Sequence, residues 1–138
     1  MRCFIFATHG YLSEAFVYSI EMILGHQENM HSIKMNPNTS TESIKEELQQ
    51  IVSQQKSDTE YVVLTDILGG SITNLMAEWI TKENIYVLTG TNLPMAIELI
   101  NNNEDISLEQ LIHKSIHQGK EGIVYVNEIV EKQERMEF

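Results

Sequence analysis

The sequence predicts an α/β fold in three layers, with a mostly parallel, open sheet and helices on both faces. The first observation is a continuous apolar run, Cys3 to Ala7, that ends in Thr8-His9-Gly10. Such a run is typical of a central strand buried on both faces. The second observation is that strand-like and helix-like segments alternate with short connections, which indicates right-handed βαβ units. With 138 residues, 42% of them hydrophobic, the chain has the size and core of one domain.

The N-terminal half contains two helices and a second strand. The first helix has apolar residues at helical spacing and ends at Gly25; these residues are Leu12, Ala15, Phe16, Ile20, Ile23 and Leu24. Met30 to Met35 alternates apolar and polar residues and ends at a turn, as a less central strand does. Thr39 to Glu42 has the spacing of a capping box and opens the second helix.

The C-terminal half repeats the strand and helix pattern. Tyr61 to Leu64 is the third predicted strand, with a helix from about Ser71 to Thr81, and Ile85 to Thr89 is the fourth. Later segments are a helix opened by Pro94, another capped by Ser107 through Ser-x-x-Gln spacing, and a short strand at Ile123 to Val126. We therefore predict one domain over residues 1–126 and a charged C-terminal tail over 127–138.

Composition narrows the function classes. The net charge of −11 makes nucleic acid an unlikely partner, because phosphate-backbone binding relies on Lys and Arg. We expect a cytoplasmic protein, since the sequence has no signal-peptide pattern and no apolar segment of membrane-spanning length. Cys3, the only cysteine, is expected to be a buried, reduced thiol. His113 and His117 have i, i+4 spacing, but without an evident third ligand we predict no metal site.

The residues that could carry chemistry follow the predicted strands. His9 follows the first strand and Asp66 follows the third, so the two would face each other if those strands were neighbours, as in a flavodoxin-like order. A carboxylate that holds one ring N–H leaves the other nitrogen free as a nucleophile. Gly69-Gly70-Ser71 then opens a helix, whose first N–H groups favour anions. The alternatives are plain ones: a hydrogen-bonding loop histidine and an ordinary glycine turn.

Together these loops resemble the mannose-family (mannose/fructose/sorbose) IIA components of the bacterial sugar phosphotransferase system. The resemblance covers roughly residues 1 to 126. Its motifs are Thr8-His9-Gly10, then Asp66-x-x-Gly69-Gly70-Ser71 with Asn74 beyond, and Gly90-x-Asn92-x-Pro94-Met95. It implies the strand order 2-1-3-4, phosphotransferase activity and no cofactor. It also implies a homodimer in which the C-terminal strand, here Ile123 to Val126, is exchanged between subunits.

The resemblance implies a role for each motif residue. His9 would accept a phosphoryl group on Nε2 from the phosphorylated carrier protein HPr and pass it to a IIB component, while Asp66 holds Nδ1. Gly70 and Ser71 would bind phosphate oxygens. The expected partner-facing rim consists of Thr8, Gly10, Leu68, Gly69, Asn92 and Pro94. The IIB component would be a separate polypeptide, and the membrane components IIC and IID would be indirect partners.

Two departures and several alternatives accompany this interpretation. Members close to the enteric mannose transporter have an aromatic residue and a proline where this chain has Leu68 and Ile72, which bears on the partner-facing surface. One alternative is the related phosphotransferase subunit of dihydroxyacetone kinase. Others are a flavin- or nucleotide-binding regulator of flavodoxin-like fold and a receiver module phosphorylated on Asp66. The sequence does not predict which sugar is transported.

Overall fold

A computed structural model describes residues 1–80, 84–101 and 106–136. Its helices and strands follow the predicted alternation. In chain order they are β1 (Arg2–His9), α1 (Leu12–Leu24), β2 (Met30–Met35), α2 (Thr41–Ser53), β3 (Glu60–Thr65), α3 (Gly70–Trp79), β4 (Ile85–Leu88), α4 (Leu93–Asn101), α5 (Leu108–Glu121) and α6 (Val126–Met136). Thr81, the predicted end of the third helix, lies outside the described residues, as do the last two residues of the predicted tail.

The four strands form one parallel sheet in the order β2-β1-β3-β4. This confirms the predicted fold class and strand order. β1 is central and has every residue from Cys3 to Thr8 buried, because helices cover both of its faces. β2 lies at one edge and alternates buried with more exposed residues, as its sequence pattern predicts.

Two apolar cores lie on opposite faces of the sheet. Phe4 and Phe6 of β1 belong to the core beneath α1, α4 and α5, where the Phe6 ring stacks on Phe16 with centroids 5.5 Å apart. Cys3 and Ile5 point the other way, into the core beneath α2 and α3. Because successive side chains of a strand alternate between faces, the single run in β1 supplies both cores. The sheet between two helical layers confirms the three-layer architecture.

Two helices begin at or next to the predicted capping signals. The cap of α2 is Ser40, one residue after the first residue of the predicted capping box Thr39 to Glu42; its hydroxyl accepts a hydrogen bond from the Ser43 backbone N–H at 3.1 Å. Ser107 caps α5 in the same way, through the Gln110 N–H at 3.2 Å. Each cap satisfies an N–H group that would otherwise lack a partner at the start of a helix. Gly25 ends α1 with a φ of 84°, which a residue with a side chain rarely adopts.

The inward face of α1 differs from the prediction. Ser13, Phe16 and Ile20 are buried, whereas Leu12 and Ile23 are exposed. Because α1 packs against β1, β2 and α4 on one side only, the apolar residues on its far side have no core to enter. The apolar pattern of α1 is therefore wider than its buried stripe.

Ile20 and Ile23 provide a matched test of this burial. Ile20 is fully buried and Ile23 is 57% exposed. We expect Ile20→Ala to lower the free energy of unfolding by about 2–5 kcal/mol, through lost burial and the cavity left behind. Ile23→Ala is expected to change it by less than about 0.5 kcal/mol. Urea titration of the two variants measures the difference, and equal losses would contradict the described orientation of α1.

The C-terminal segment also differs from the prediction. The expected strand at Ile123 to Val126 is absent from the described chain: residues 123–125 form no regular structure and Val126 begins α6. The Ile123 N–H instead donates to the Lys120 carbonyl oxygen at 3.2 Å, and the Glu128 N–H to the Tyr125 carbonyl oxygen at 3.1 Å. A strand needs a neighbouring strand to satisfy its backbone groups, and in a single chain this segment adopts local turn and helix bonds instead.

Candidate functional site

Three loops meet at the carboxyl edge of the sheet. β1 and β3 are neighbours, with Ala7 opposite Thr65, so the residues that follow each strand lie side by side. The loop after β4 is joined to the end of β3, because the Thr91 hydroxyl and N–H both donate to the Thr65 carbonyl oxygen, at 2.7 and 3.2 Å. The loops after β1 and β3 therefore converge as predicted. They do so at the edge where α/β sheets commonly bind ligands.

His9 and Asp66 form the centre of this edge. Asp66 Oδ2 lies 2.8 Å from His9 Nδ1 and also accepts the His9 backbone N–H at 3.1 Å. The second carboxylate oxygen, Oδ1, accepts the Ile67 N–H at 3.0 Å. The side chain of His9 is 52% exposed and that of Asp66 14%. The carboxylate is thus held on both oxygens, and it orients an imidazole that remains open to a partner.

The charge of Asp66 determines what the pair can do. Partial burial by itself would raise the pKa of Asp66, but the hydrogen bonds from the His9 ring and backbone N–H outweigh it and hold the pKa below 3.8. An anionic acceptor favours the tautomer with the proton on Nδ1. Nε2, the ring nitrogen that Asp66 does not engage, then carries a free lone pair. This is the arrangement of a nucleophilic histidine.

The loop after Asp66 leads into the N-terminus of α3. Gly69 has a φ of 96°, and a Cβ added there would meet no atom within 4 Å, so its glycine is required by the backbone conformation and not by crowding. The Thr73 hydroxyl lies 3.0 Å from the Gly69 carbonyl oxygen and 3.3 Å from that of Ile67, which holds the loop on the helix. Gly70 and Ser71 are the first two residues of α3. Backbone N–H groups at such a position favour an anion.

Residues of the expected partner-facing rim differ in where they lie. Leu68, two residues after Asp66, is 79% exposed, and Gly10, which directly follows His9, has a φ of 59°. Thr8, in contrast, is fully buried, so its placement on the rim is wrong: the seventh residue of β1, a strand covered on both faces, points into the protein. Among the other predicted rim residues, Leu68, Gly69 and Pro94 are exposed and Gly10 is half-buried.

Asn92 and Pro94 join the β4 loop to α5. Asn92 Oδ1 accepts the Met95 N–H at 3.1 Å, which caps α4, and its Nδ2 donates to the Gly119 carbonyl oxygen at 2.9 Å. Pro94 packs so closely on the end of α5 that a Cβ added to Gly122 would lie 2.6 Å from its Cγ. The described contacts of this pair are structural, and none of them reaches His9.

The sequence analysis missed a cleft beside His9. The cleft has a volume of about 460 Å³ and is lined by His9, Gly10, Met35, Asn36, Pro37 and Thr39. It forms because β2 is parallel to β1, so the turn after β2 reaches the same edge, where the Gly10 N–H donates to the Met35 carbonyl oxygen at 2.8 Å. The Asn36-Pro37 turn signal and the predicted strand order together were enough to place this turn, and the cleft it lines, beside His9.

Comparison with known proteins decides the family. The family model described as the PTS system fructose IIA component, EIIA-man, matches residues 3–116. The chain belongs to the mannose-type EIIA family. Its relatives include the PTS system sorbose-specific EIIA component of Klebsiella pneumoniae, which is 32% identical over 78% of each chain. Another is the mannose-specific EIIAB component of Escherichia coli K12, 30% identical over 86% of this chain.

The lengths of these relatives differ. The present chain spans only 38% of the E. coli mannose-specific EIIAB component. Among solved structures, the phosphotransferase system component EIIA from Streptococcus agalactiae superposes with a TM-score of 0.81 at 32% identity, covering 92% of this chain and 98% of that one. The family and the fold of this EIIA chain are therefore shown together.

Two further features of the described residues concern membranes and metals. None of the helices in the part of the chain that the structure describes is long and apolar enough to cross a bilayer. Within residues 1–80, 84–101 and 106–136, no three His, Cys, Asp or Glu side chains are grouped as metal ligands.

Proposed function

We propose that this EIIA chain is a phosphoryl carrier of the phosphoenolpyruvate-dependent sugar phosphotransferase system, with His9 as the carrier residue. The observation that supports this most directly is the His9–Asp66 pair. Its 2.8 Å contact engages Nδ1 and leaves Nε2 on a half-exposed ring. A flavodoxin-like flavin or nucleotide binder has no such observation in its favour. The dihydroxyacetone kinase subunit would share the histidine, but the relatives named above are sugar-specific components.

The proposed reaction is an in-line transfer between two histidines. The Nε2 lone pair of His9 attacks the phosphorus of phosphorylated HPr, the N–P bond of the donor breaks, and its electron pair returns to the donor imidazole. The proton on His9 Nδ1 stays in place, because the Asp66 carboxylate stabilises the positive charge that develops on the ring. The N–H groups at Gly70 and Ser71 would bind the phosphoryl oxygens. In a second transfer, with His9 now as the donor, the phosphoryl group would pass to a IIB component. The membrane components IIC and IID would act after that step.

Phosphoryl labelling tests this function. The protein is mixed with phosphoenolpyruvate, enzyme I and HPr, held at neutral pH, and its intact mass is measured. We expect a gain of one phosphoryl group that is lost on acid treatment and transferred when a IIB component is added. The absence of any gain with active enzyme I and HPr would contradict the proposal and direct attention to flavin and nucleotide binding.

We also propose that the chain forms a homodimer by exchanging residues 123–126. β4 pairs with β3 and, in the described chain, with no strand on its other side. A groove of about 330 Å³ beside it is lined by apolar residues that include Val87, Ile112 and Ile116. The Thr89 hydroxyl, in the same groove, is buried without a hydrogen-bond partner. An added strand would supply the missing backbone and hydroxyl bonds.

Proline substitution tests the exchange in the full-length chain. Val124→Pro removes an N–H from the proposed strand, whereas in the single chain this residue lies in no helix or strand. We expect the wild-type protein to have the mass of a dimer by light scattering. The Val124→Pro dimer should dissociate at concentrations at least about tenfold higher than the wild-type dimer does, because a lost ladder bond and its unsatisfied partner cost about 1–3 kcal/mol. Val130→Ala, on the exposed part of α6, is the control. A monomeric wild type would contradict the exchange.

A further inference from the structure

Strand β2 leaves one edge of the sheet open. The Gly10 N–H donates to the Met35 carbonyl oxygen at 2.8 Å, so the odd-numbered residues of β2 direct their backbone groups toward β1. Met30, Ser32 and Lys34 therefore direct their N–H and C=O groups away from the sheet, and no strand of the described chain pairs with them. We call this row the β2 edge. A row of unpaired backbone groups is a template for one more strand.

The usual protection of an edge strand is weak in β2. Lys34 is the only Lys, Arg, Asp or Glu of this strand. Its ammonium lies 3.5 Å from Glu14 Oε1 and 4.7 Å from the centroid of the Tyr11 ring. Both contacts hold the charge against the start of α1. A lysine that extends past an edge prevents pairing with another chain, and Lys34 is directed elsewhere.

A groove accompanies the β2 edge. It has a volume of about 430 Å³, and its lining includes Glu14, His31, Ser32, Glu47, Gln50 and Gln54. The Nε2 atom of His31 is buried and has no hydrogen-bond partner among the described residues. Buried polar atoms without a partner are rare in folded chains, and one beside an open edge indicates a site that takes a further polar group.

Charge defines what suits the groove. On its α1 side, Glu14 is balanced by Lys34. On its α2 side, Glu47 is exposed, and the other polar side chains of the lining are neutral, because burial lowers the pKa of His31 below 6.5. A second copy of the chain, with its net charge of −11, would bring carboxylates together there. A segment that carries Lys or Arg would instead place opposite charges side by side.

We propose that the β2 edge binds an extended, basic segment of a partner protein, which adds to the sheet as one further strand beside β2. Successive side chains of that segment point to opposite faces of the sheet, so its Lys or Arg residues stand at alternate positions and face Glu47. Backbone hydrogen bonds to Ser32 and its neighbours provide the affinity, and the alternate side chains provide the selectivity. The inference goes beyond phosphoryl transfer and does not rest on it.

A peptide of alternating Val and Lys, capped at both ends, tests the site. We expect fluorescence anisotropy to show that it binds the full-length protein and that added salt weakens the complex. In the free protein, the amides of Ser32 and Lys34 should exchange with deuterium faster than those of His31 and Ile33, which face β1. Saturation with the peptide should slow exchange at Ser32 and Lys34.

Control peptides separate backbone pairing from charge. N-methylation of the peptide's Val amides in one version and of its Lys amides in another removes alternate N–H groups while keeping the charge. Because only one of these sets faces β2, one version should lose binding and the other should retain it. A peptide of alternating Val and Glu is not expected to bind.

Protein variants test the same contacts from the other side. Ser32→Pro removes an N–H that faces away from β1, a position where an edge strand tolerates proline. We expect it to weaken peptide binding roughly tenfold or more, whereas Ser32→Ala, which keeps the N–H, should bind as the wild type does. Glu47→Gln should weaken binding about two- to fivefold. Glu46→Gln, the same charge change outside the groove, should have little effect. Circular dichroism checks the fold, and the N-methylated peptides test the same bonds if Ser32→Pro does not fold.

The other outcomes overturn the proposal. The absence of binding, or binding without slower exchange at Ser32 and Lys34, would show that the β2 edge takes no strand from the peptide. Equal binding of the Val and Glu peptide would contradict the basic partner. A lower oligomeric mass of the free protein in Ser32→Pro would assign the edge to a second copy of the chain. None of these measurements uses phosphoryl labelling, so failure of this inference is distinguishable from failure of the proposed function.

Discussion

His9→Ala is expected to reduce phosphoryl labelling by phosphorylated HPr to background. The substitution removes the ring nitrogen of the His9–Asp66 pair that is free to attack phosphorus. The fold should survive, because His9 is the last residue of β1 and its side chain is half exposed. Circular dichroism and the urea midpoint check the fold, and intact-mass measurement checks labelling.

A second histidine variant makes this result specific. His26 is also exposed and also contacts a carboxylate, Glu21, at 3.2 Å, but it lies at the end of α1 remote from the carboxyl edge. His26→Ala should be labelled as fast as the wild type. Undiminished, acid-labile labelling of His9→Ala would mean that another histidine carries the phosphoryl group, and the assignment of His9 would be abandoned.

The sequence predicts the sheet well because its signals are local and strong. The run from Cys3 to Ala7 can be buried on both sides only in a central strand, and short connections then require parallel neighbours. The Ser40 and Ser107 caps are equally local. The position of Asp66 beside His9 follows from the neighbouring strands β1 and β3, so the main feature of the candidate site was predictable once their order was known.

The remaining differences come from contacts between distant segments. Helical periodicity alone cannot tell which side of α1 meets the core, because Ile20 and Ile23 both fit an apolar stripe and only packing separates them. The residues after Gly122 favour a strand by composition, but strand formation depends on an available edge. The resemblance placed Thr8 on the rim, but helices cover both faces of β1 up to this residue, so its side chain is buried.

Asp66→Asn is expected to slow phosphoryl transfer by about 10²–10⁴-fold while KM for the donor stays close to the wild-type value. A carboxylate can only accept the Nδ1 proton, whereas the amide group can also donate to Nδ1 and so stabilise the tautomer with its proton on Nε2. A wrong tautomer of this kind is costly in other histidine nucleophile and base systems, from which this magnitude is taken. Stopped-flow or quench measurements of labelling give kcat and KM separately. Nitrogen chemical shifts of the His9 ring report the tautomer directly.

Asp66→Ala separates tautomer control from loss of charge. It removes the carboxylate without placing a donor on Nδ1, so we expect slower transfer than in the wild type but faster transfer than in Asp66→Asn. If both variants transferred at the wild-type rate, the carboxylate would have only a structural role. Faster transfer in Asp66→Asn than in Asp66→Ala would contradict the tautomer argument and leave hydrogen-bonded orientation of the ring as the function of Asp66.

The pH dependence of stability supplies an independent check on the charge of Asp66. Because its folded-state pKa is lowered below 3.8, the ionised carboxylate stabilises the folded protein at pH values above 3.8, and this contribution is lost as the pH falls through the lower, folded-state pKa. Asp66→Asn lacks that titration. The difference in urea midpoint between wild type and Asp66→Asn should therefore be largest near neutral pH and shrink at pH 3 and below. If the difference in urea midpoint stayed constant over this pH range, the hydrogen bonds from His9 to Asp66 would not depend on the negative charge of the carboxylate. The argument that this charge stabilises the Nδ1–H tautomer of His9 would then fail.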